Sequence, residues 1–335
     1  MKIEYSKFMF ELEVSERLRI SPFFENTLRG LIGAQIHKLC CNKTLEKCDS
    51  CSDRHSCLYS YLYNTPAKIN SQNLSKYNAL PHPYIFFFPR NRLIFEKGDK
   101  IIFYLTLFGK ALNYLSYYVH AVSNACKAGI GRNRVPLVLS NVEAVYSEGF
   151  SEKIYSVEAP FLNSFKRQSL DIESSIANIL LDDCEISNNK EKSDADARAG
   201  VSNIKLSFDT VFRVKENEKL ISEIEFSTII KSLLRRFSNI AYFHCGNETE
   251  IDFKKIIEKA KKVSILKKDI NWFEYDRYSS RQNAKMKLGG IIGEITFKAA
   301  GAWAELLKIG KIIHIGKNTS FGFGKYDIEV VSDVE

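Results

Sequence analysis

Three stretches of the sequence carry residue types that can do chemistry: His37, a run of cysteines from 40 to 57, and a glycine-rich segment at 314–326. An imidazole titrates near neutral pH and can donate or accept a proton. Clustered thiols bind soft metal ions, and backbone stripped of side chains can contact an anion closely. The elements around these stretches must therefore position an acid–base group, a metal site or an anion site.

His37 lies on the polar face of a helix predicted over residues 24–39. An apolar stripe forms the opposite face of this helix (Phe24, Leu28, Leu31, Ile32, Ile36 and Leu39). At 100° per residue, His37 falls about 180° from Leu28, with Gly30 and Gly33 beside it. A glycine inside a helix costs about 0.5–1 kcal/mol relative to alanine. These two glycines therefore either let another backbone approach His37 or serve helix packing.

The cysteine run has the spacing C-x6-C-x2-C-x5-C. Its central C-x2-C is typical of a zinc knuckle, and tetrahedral zinc tolerates the other spacings. The segment has little apolar content, so a metal would organise it. We expect a structural zinc ion, because four cysteines leave no open coordination position, so its chelation should leave any chemical step intact in protein that stays folded. An iron–sulfur cluster and reduced thiols without metal are the alternatives. The predicted ligands are Cys41, Cys48, Cys51 and Cys57.

The segment "HIGKNTSFGFGKY", residues 314–326, is here called the glycine loop. Glycines can adopt positive φ and expose successive N–H groups that bind anions. Lysines add positive charge, and aromatic rings can stack on bases. The alternative is an ordinary hairpin whose phenylalanines belong to the core. The residues concerned are Gly316, Gly322 and Gly324, Lys317 and Lys325, and Phe321, Phe323 and Tyr326.

The composition fits a globular protein with a polyanionic partner. Apolar residues make up 45% of the chain, which excludes wholesale disorder, and 48 basic residues against 40 acidic ones give a net charge of +8. No apolar run is long enough to span a bilayer, and "MKIEYSKFMFELEV" lacks the apolar core of a signal peptide. We therefore expect a cytoplasmic protein with no membrane partner, whose cysteines are thiols or metal ligands rather than disulfides.

The first half of the chain has the hydrophobic pattern of a β-α-β-β-α-β unit. Residues 3–14 alternate as a half-buried strand, and helices are predicted at 24–39 and near 109–129. Further strands are predicted in "PYIFFFP", "KIIFYLTLF" and "VPLVLSNVEAVY". This order predicts a ferredoxin-like domain over 1–155, with a cysteine-rich insertion at 40–63.

The second half repeats the pattern over 203–335, so the predicted fold class is α+β with tandem ferredoxin-like domains. Strands are predicted in "NIKLSFDTVFRV", "INWFEYDRY" and "GIIGEITFKA", and helices in "FSTIIKSLLRRFSNIAYF" and "GAWAELLKIG". "KIIHIG" and "KYDIEVV" are predicted to pair as a hairpin closed by the glycine loop. Residues 156–202 are predicted as a linker and flexible loop, since 182–200 are charged and lack periodicity.

Four stretches together resemble a known family: "FFENTLRGLIGAQIHKL", the cysteine insertion followed by "PHPYIFFFP", "RYSSRQNAKMKLGGIIGEITF" and the glycine loop. The chain is similar to the CRISPR repeat-processing endoribonucleases of the RAMP superfamily, in the branch with a cysteine-bearing insertion. The resemblance implies two ferredoxin-like domains and metal-independent cleavage of precursor CRISPR RNA within its repeats. It also implies that the glycine loop lies along the RNA.

The resemblance implies a catalytic role for one residue, and the chemistry suggests two further candidates. The family has a catalytic histidine on its first helix, and His37 is the histidine there. A 2′-OH would attack the adjacent phosphate, giving 2′,3′-cyclic phosphate and 5′-OH ends, with the imidazole transferring a proton. Lys43 is expected to stabilise the developing charge, or else is a solvated lysine. His314 is expected as a catalytic partner or RNA contact, or else is a strand residue.

Further basic residues are candidate RNA contacts in addition to the glycine loop. Alternation on a strand would place several of Arg277, Arg281, Lys285 and Lys287 on one face, with a solvated sheet edge as the alternative, and Arg29 beside Gly30 is a further candidate. Arg235 and Arg236 are expected on a solvated helix face. The expected partners are CRISPR repeat RNA and, as a second candidate, a CRISPR effector complex, with the protein a monomer or homodimer. The alternatives are that the protein is a non-catalytic RNA-binding subunit of such a complex, or an unrelated basic enzyme whose fold is stabilised by zinc.

Overall fold

The computed structural model describes most of the chain and separates it into two compact units. The first unit comprises Ile3–Ser169 and Asn239–Gly246, and the second comprises Met1–Lys2, Leu170–Ser238 and Asn247–Glu335. The side chains of 182–188, 201–202, 276–279 and 284–286 lie outside the description. The residues described are 1–43, 47–66, 80–90, 92–146, 149–188, 201–216, 219–247, 251–279 and 284–331.

In its described residues, the first unit is built from one main sheet and two α-helices. Its strands are β1 (Lys2–Val14), β2 (Leu18–Arg19), β3 (Tyr84–Phe87), β4 (Ile94–Phe95), β5 (Lys100–Phe108), β6 (Leu137–Val145), β7 (Ser151–Ser156) and β8 (Gln168–Asp171). Its α-helices are α1 (Phe24–Cys40) and α2 (Leu115–Ala128), the latter preceded by a 3₁₀ turn at Gly109–Tyr114. Single turns of π-helix cover Ser60–Asn64 and Ala241–Cys245.

The sheet of the first unit runs in the order β3-β5-β1-β6-β7, with β8 also paired to β1. The central strand β1 alternates between buried and less buried residues, as its sequence predicts, and Phe8, Phe10 and Leu12 are completely buried. Helices α1 and α2 cover the core, to which α1 contributes Leu28, Ile32 and Ile36. The order of the four ferredoxin-like strands, β3-β5-β1-β6, follows the predicted β-α-β-β-α-β connectivity.

The segment Asn239–Gly246 joins the first unit although it follows a helix of the second. The Nε2 atom of buried His244 lies 2.8 Å from the carbonyl oxygen of Pro81. A carbonyl oxygen only accepts, so Nε2 carries the proton and Nδ1, 3.3 Å from the hydroxyl of Tyr61, accepts. A Cβ atom at Gly109 would lie 2.1 Å from the carbonyl oxygen of His244, so glycine is required at this contact.

The second unit repeats the architecture with a four-stranded sheet. Its strands are β9 (Val201–Phe212), β10 (Lys215–Glu216), β11 (Lys219–Leu220), β12 (Ser264–Phe273), β13 (Asp276–Ser279), β14 (Ala284–Lys287), β15 (Gly290–Ala300) and β16 (Asp327–Val331). Its α-helices are α3 (Glu173–Asn188), α4 (Phe226–Ile240), α5 (Lys254–Lys261) and α6 (Ala302–Ile313). The sheet order is β12-β15-β9-β16, all antiparallel, and β13 pairs separately with β14.

Both sheets therefore place the first strand of each repeat between the third and the fourth, and the tandem ferredoxin-like fold is confirmed. The helix predicted from 24 to 39 is confirmed as α1, although Leu39 of its predicted apolar stripe is 42% exposed. Within the described part of the chain, none of the helices combines the length and hydropathy needed to cross a lipid bilayer.

Two local predictions are wrong. "KIIHIG" does not pair with "KYDIEVV", because residues 311–313 complete α6 and the glycine loop connects this helix to β16. The loop predicted over 182–200 is wrong for 182–188, which continue α3 from Glu173. The rest of that stretch, 189–200, lies outside the described residues. The segment 156–202 thus contains β8 and α3, neither of which the hydrophobic pattern revealed.

Candidate functional site

His37 lies in the last turn of α1, where it contacts the cysteine insertion. Its imidazole meets the ring of Tyr59 edge to face, with 4.6 Å between ring centres and an interplanar angle of 76°. Its Nε2 atom lies 3.6 Å from the Sγ atom of Cys48. The predicted catalytic residue is therefore half-buried and held by residues of the segment that the sequence assigned to metal binding.

An aromatic column continues from Tyr59 into the first unit. The Tyr59 ring stacks on Tyr63 at 5.3 Å and 8°, and Tyr63 in turn lies 5.3 Å from the buried ring of Tyr84. A Cβ atom at Gly33 would come within 2.6 Å of the Tyr63 ring. Gly33 thus serves helix packing, the second of the two alternatives. A Cβ atom at Gly30 would meet no described atom within 4 Å, so this position stays open to an incoming backbone.

Arg29 has internal partners on this column. Its Nε–H donates to the Tyr84 hydroxyl at 3.0 Å, and a terminal nitrogen lies 3.2 Å from Nε2 of His82. A guanidinium only donates, so Nε2 of His82 is unprotonated and its Nδ1–H faces the Thr65 hydroxyl at 3.0 Å. This geometry gives Arg29 a structural role; its predicted contact with RNA stays a prediction.

The cysteines of the insertion gather around Cys48. Burial raises the pKa of the Cys48 thiol, and the nearby Cys41, Cys57 and Cys51 act in the same direction. All five cysteines of the insertion are free thiols. Among the residues that the structure describes, however, no three His, Cys, Asp or Glu side chains are arranged to hold a metal ion. The thiols therefore lie near one another without forming a coordination site, and zinc stays a prediction.

Lys43 follows α1 and is engaged with the same insertion. Its Nζ atom lies 2.9 Å from Oδ2 of Asp53 and donates to the hydroxyl of Ser52 at 2.5 Å. Hydrogen bonding from Lys43 lowers the pKa of the Asp53 carboxyl. A lysine paired in this way must exchange its carboxylate for a phosphate before it can stabilise developing charge, so its catalytic role stays a prediction.

In the second unit, the three glycines of the glycine loop have the left-handed backbone that the sequence predicted. Their φ angles are 88° at Gly316, 78° at Gly322 and 70° at Gly324. A Cβ atom at Gly316 would lie 2.5 Å from the carbonyl oxygen of Arg213, and one at Gly324 would lie 1.7 Å from that of Ile315. The groups that approach this backbone are therefore carbonyls of the same chain.

The prediction of successive exposed N–H donors in the glycine loop is wrong at three positions. The amides of Lys317, Gly322 and Gly324 donate to the carbonyls of Arg213, Thr319 and Val211, at 2.7, 2.9 and 2.9 Å respectively. These bonds fold the loop onto itself and onto the end of β9, which leaves these donors unavailable to an anion unless the loop opens.

The prediction that aromatic residues of the loop stack on bases is also wrong. Phe323 and Tyr326 are completely buried and Phe321 is 9% exposed. The Tyr326 hydroxyl donates to the carbonyl oxygen of Leu307 at 2.6 Å, which fixes this ring beneath α6. These side chains belong to the core, as the alternative interpretation of the loop had it.

The positive charge of the loop is only partly available. Lys325 forms ion pairs with Asp209 and with Asp327, the second at 3.2 Å, and Lys311 approaches Asp327 at 2.5 Å. Burial alone would raise the pKa of Asp327, but hydrogen bonds and charge from these two lysines lower it to about 2. Lys317 is exposed.

Three side chains shape the glycine loop in ways that the sequence pattern either did not reveal or predicted differently. The buried hydroxyl of Thr210 donates to the carbonyl of Gly322 at 2.8 Å and accepts from the amide of Lys325 at 2.9 Å. Arg236 is buried rather than solvated, and its Nε–H donates to the carbonyl of Ile313 at 3.0 Å. Burial lowers the pKa of this guanidinium to about 9.

His314 is the third of these side chains. It is 6% exposed and its backbone has a φ angle of 55°. Its Nδ1 atom lies 3.2 Å from the carbonyl oxygen of Phe323, to which it donates. This bond spans the base of the loop, so the geometry favours a structural role over proton transfer to a bound substrate.

The remaining basic candidates lie on or beside the hairpin of β13 and β14. Arg277 pairs in register with Met286, and Tyr278 with Lys285. Lys287 ends β14 and is exposed, whereas Arg281 lies outside the described residues. A further cation, Arg213, follows β9, and its guanidinium donates to the carbonyl of Gly289 at 2.5 Å. No local motif marks Arg213, because its position follows from sheet pairing.

Family comparisons match both halves of the chain. Residues 206–326 match the family described as CRISPR-associated endoribonuclease Cas6. Residues 3–168 match a family described as an N-terminal domain. No curated protein matches the chain by sequence.

Solved structures of similar fold come from the same group of proteins. Thermus thermophilus Cas6 has a TM-score of 0.52 at 12% identity, with 98% of this chain and 99% of that chain covered. A Cas6 product complex has a TM-score of 0.52 at 14% identity and the same coverage. A partial Cas6-RT-Cas1–Cas2 complex has a TM-score of 0.56 at 13% identity; 98% of this chain is covered, but only 46% of that one.

The matched chain of the Cas6-RT-Cas1–Cas2 complex is therefore about twice as long as this chain, whereas the two Cas6 structures have its full length. The match over residues 206–326 includes β15, the glycine loop and the end of β9, which are the parts that carry the candidate anion site. With this match and two ferredoxin-like sheets of the same strand order, the chain carries a Cas6 domain over residues 206–326 and has the fold of solved Cas6 structures.

Proposed function

We propose that the protein is an endoribonuclease that cuts precursor CRISPR RNA within its repeats and needs no metal ion for the chemical step. The observation that carries this proposal is the match of residues 206–326 to the Cas6 endoribonuclease family. The fold, which is that of solved Cas6 proteins, supports it. The net charge of +8 is also suited to an RNA partner.

The reaction is an attack of a ribose 2′-OH on the adjacent phosphorus. A bond forms between the 2′ oxygen and phosphorus, the bond to the 5′ oxygen breaks, and the products are a 2′,3′-cyclic phosphate and a 5′-OH. One proton leaves the 2′ oxygen and one is delivered to the 5′ oxygen. His37 transfers one of these protons, which accelerates the reaction by about 10²–10⁴-fold. Holding the phosphate in line supplies a further part of the rate.

Binding of the RNA rests on the exposed cations of the second unit. Lys317 in the glycine loop and Lys287 at the end of β14 are exposed, and both contact phosphates in this proposal. Each phosphate contact releases counterions, so the affinity falls steeply as salt is added. The repeat RNA is the primary partner. One fold relative is a Cas6-RT-Cas1–Cas2 complex, which supports a larger CRISPR assembly as the second.

A structural zinc ion in the cysteine insertion remains part of the proposal. Its support is chemical, because four thiols provide the ligand set that Zn²⁺ prefers and they lie near one another around Cys48. The described residues do not form a completed metal site, so no step of the reaction is assigned to the metal. If bound, it would order the segment that holds the His37 ring.

The test is cleavage of a labelled repeat RNA in the presence of EDTA. The parent protein should produce fragments with 2′,3′-cyclic phosphate and 5′-OH ends, and a 2′-deoxy substitution at the scissile nucleotide should prevent cleavage. His37→Ala should slow single-turnover cleavage by at least about 100-fold while the Kd for the 2′-deoxy RNA stays within twofold.

His120→Ala is a matched control, because this histidine is exposed on α2 in the same unit and should be dispensable. Cleavage by His37→Ala at the parental rate would remove His37 from the mechanism. Tight RNA binding by the parent protein without any cleavage, even after Mg²⁺ or Mn²⁺ is added, would instead identify a non-catalytic RNA-binding subunit.

A further inference from the structure

We propose that Trp272 binds an unpaired nucleobase by stacking, beside the cations of the glycine loop. The ligand class is single-stranded RNA, and in this respect alone the inference rests on the proposed function; cleavage is not required for it. Trp272 replaces the loop phenylalanines as the aromatic contact, since those rings are buried.

The sheet topology gathers the relevant residues at one end of the second unit. Strand β12 ends where β15 begins, with Phe273 opposite Gly290. Strand β9 ends at the same level, with Phe212 opposite Ile291. The glycine loop reaches this end as well, because its Lys317 amide donates to the carbonyl of Arg213, the residue after Phe212. The end of β12 and the glycine loop therefore lie at the same end of the sheet.

The indole of Trp272 is exposed but held in a defined orientation. Its side chain is 42% exposed, and its Nε1–H donates to Oε2 of Glu274 at 3.0 Å. The ring lies against Gly289, where an added Cβ atom would come within 2.6 Å of the ring carbon Cζ2. A large apolar ring that is fixed in place yet left in water is the arrangement of a stacking platform, because the ring need not be ordered again on binding.

Arg213 links this platform to the glycine loop. Its guanidinium donates to the carbonyl of Gly289, the residue on which the indole lies. Its own carbonyl accepts from the Lys317 amide at 2.7 Å and faces Gly316. Arg213 thus contacts both the residue beside the indole and the backbone of the glycine loop.

The charges at this end of the sheet favour an anionic nucleic-acid strand over an apolar partner. Lys287 and Lys317 are both exposed, and Arg213 adds a third positive charge. Burial lowers the pKa of Arg213, and the charge of Glu274 opposes that shift. An aromatic surface with cations around it fits bases that stack while their phosphates pair. A protein partner would instead be expected to cover the ring with apolar contacts, and the test below separates the two.

Tryptophan fluorescence tests the proposal directly. The chain has two tryptophans, and the other one, Trp303, is 5% exposed. The probe is a repeat RNA with a 2′-deoxy scissile nucleotide, which binds without being cut. We expect single-stranded RNA to quench the emission, and we expect Trp272→Phe to abolish the quenching while keeping the Kd within about threefold. Trp272→Ala should weaken binding by about 5- to 150-fold, the range expected for loss of one stacked base.

Phe161→Ala is the matched control, because it removes an aromatic ring that is 79% exposed in the first unit. It should leave the affinity and the quenching unchanged. An alanine variant at 272 that binds RNA as tightly as the parent overturns the proposal. So does equal quenching by a fully paired RNA duplex, or equal loss of affinity in the phenylalanine and alanine variants. Quenching without any cleavage would leave this inference standing and refute the proposed activity instead.

Discussion

The Nε2 atom of His37 lies 3.6 Å from the Sγ atom of Cys48, so the candidate catalytic imidazole touches the cysteine insertion. The sequence presents these two features as separate, one on a helix and one in a loop. In the structure the insertion forms part of the surroundings of the imidazole. Substitutions in the insertion should therefore change the rate of the chemical step.

Tyr59 should position the His37 ring. Its edge-to-face contact is of a kind worth about 0.5–1.5 kcal/mol, so its loss should lower the rate of single-turnover cleavage by about 3- to 10-fold. Tyr59→Leu should show this loss with an unchanged Kd for uncut RNA. Tyr59→Phe keeps the ring and should restore the parental rate. Equal rates in the leucine variant and the parent would show that the contact is incidental.

Zinc binding by the insertion is testable by metal analysis of the purified protein. We expect about one zinc ion per chain, and we expect Cys51→Ser to reduce this content because it removes one of four thiolate ligands. Cys40→Ser is the matched control, since it removes a neighbouring thiol outside the predicted ligand set. A protein that contains neither zinc nor iron would refute the metal site, and equal effects of both substitutions would refute the ligand assignment.

Gly30 and Gly33 should respond in opposite ways to alanine. Gly30→Ala fills open space on α1 and should raise the free energy of unfolding by about 0.5–1 kcal/mol. Gly33→Ala forces its methyl group against the buried Tyr63 ring and should lower that free energy by about 1–3 kcal/mol. Urea denaturation compares the two variants, and the interpretation fails if both move in the same direction.

The Gly30 position also reports on RNA. If a ribose-phosphate backbone approaches this open face of α1, the added methyl group should weaken RNA binding in a protein that is more stable than the parent. An unchanged Kd would assign the glycine to neither binding nor packing.

Glu25 should make the stability depend on pH. Burial raises the pKa of this carboxyl to about 6 from an ordinary value of 4.5, although Arg90, at 3.4 Å, opposes the shift. The folded protein therefore holds the proton more tightly than the unfolded chain. The stabilisation is fully present below pH 4.5 and is lost as the pH rises through about 6, which amounts to about 2 kcal/mol.

Denaturation of the parent and of Glu25→Gln at pH 4.5 and pH 7 measures this effect. The neutral amide should reduce the loss of stability between these two pH values. Asp327 does not interfere, since its lowered pKa of about 2 places its effect below pH 4. The same loss in both proteins would show that Glu25 is not responsible.

Local sequence patterns predicted the two sheets well and the glycine loop poorly, and the reason is physical. The alternation in β1 and the helical period of α1 are set by burial on one face, so a short stretch of sequence contains them. The role of Gly324 depends on the carbonyl oxygen of Ile315, and that of Gly316 on Arg213. A glycine-rich stretch shows that something comes close, but it does not show whether that is a ligand or the chain itself.

The candidate RNA contacts were missed for a related reason. Arg213 and Trp272 lie 59 residues apart in the chain and meet through Gly289, where strand pairing brings three separate segments together. No spacing rule within one segment can reveal such a group. The available signal was a pair of glycines at the start of β15, because this pair leaves room for an indole and a backbone carbonyl.

The return of Asn239–Gly246 to the first unit has a practical consequence for dissecting the protein. A fragment that begins near residue 203 would carry His244 without the Pro81 carbonyl and the Tyr61 hydroxyl that satisfy its ring. The complementary fragment would in turn leave Gly109 without its close neighbour. Neither half should behave as an autonomous folding module, and co-production of the two pieces should recover soluble material only through reassembly.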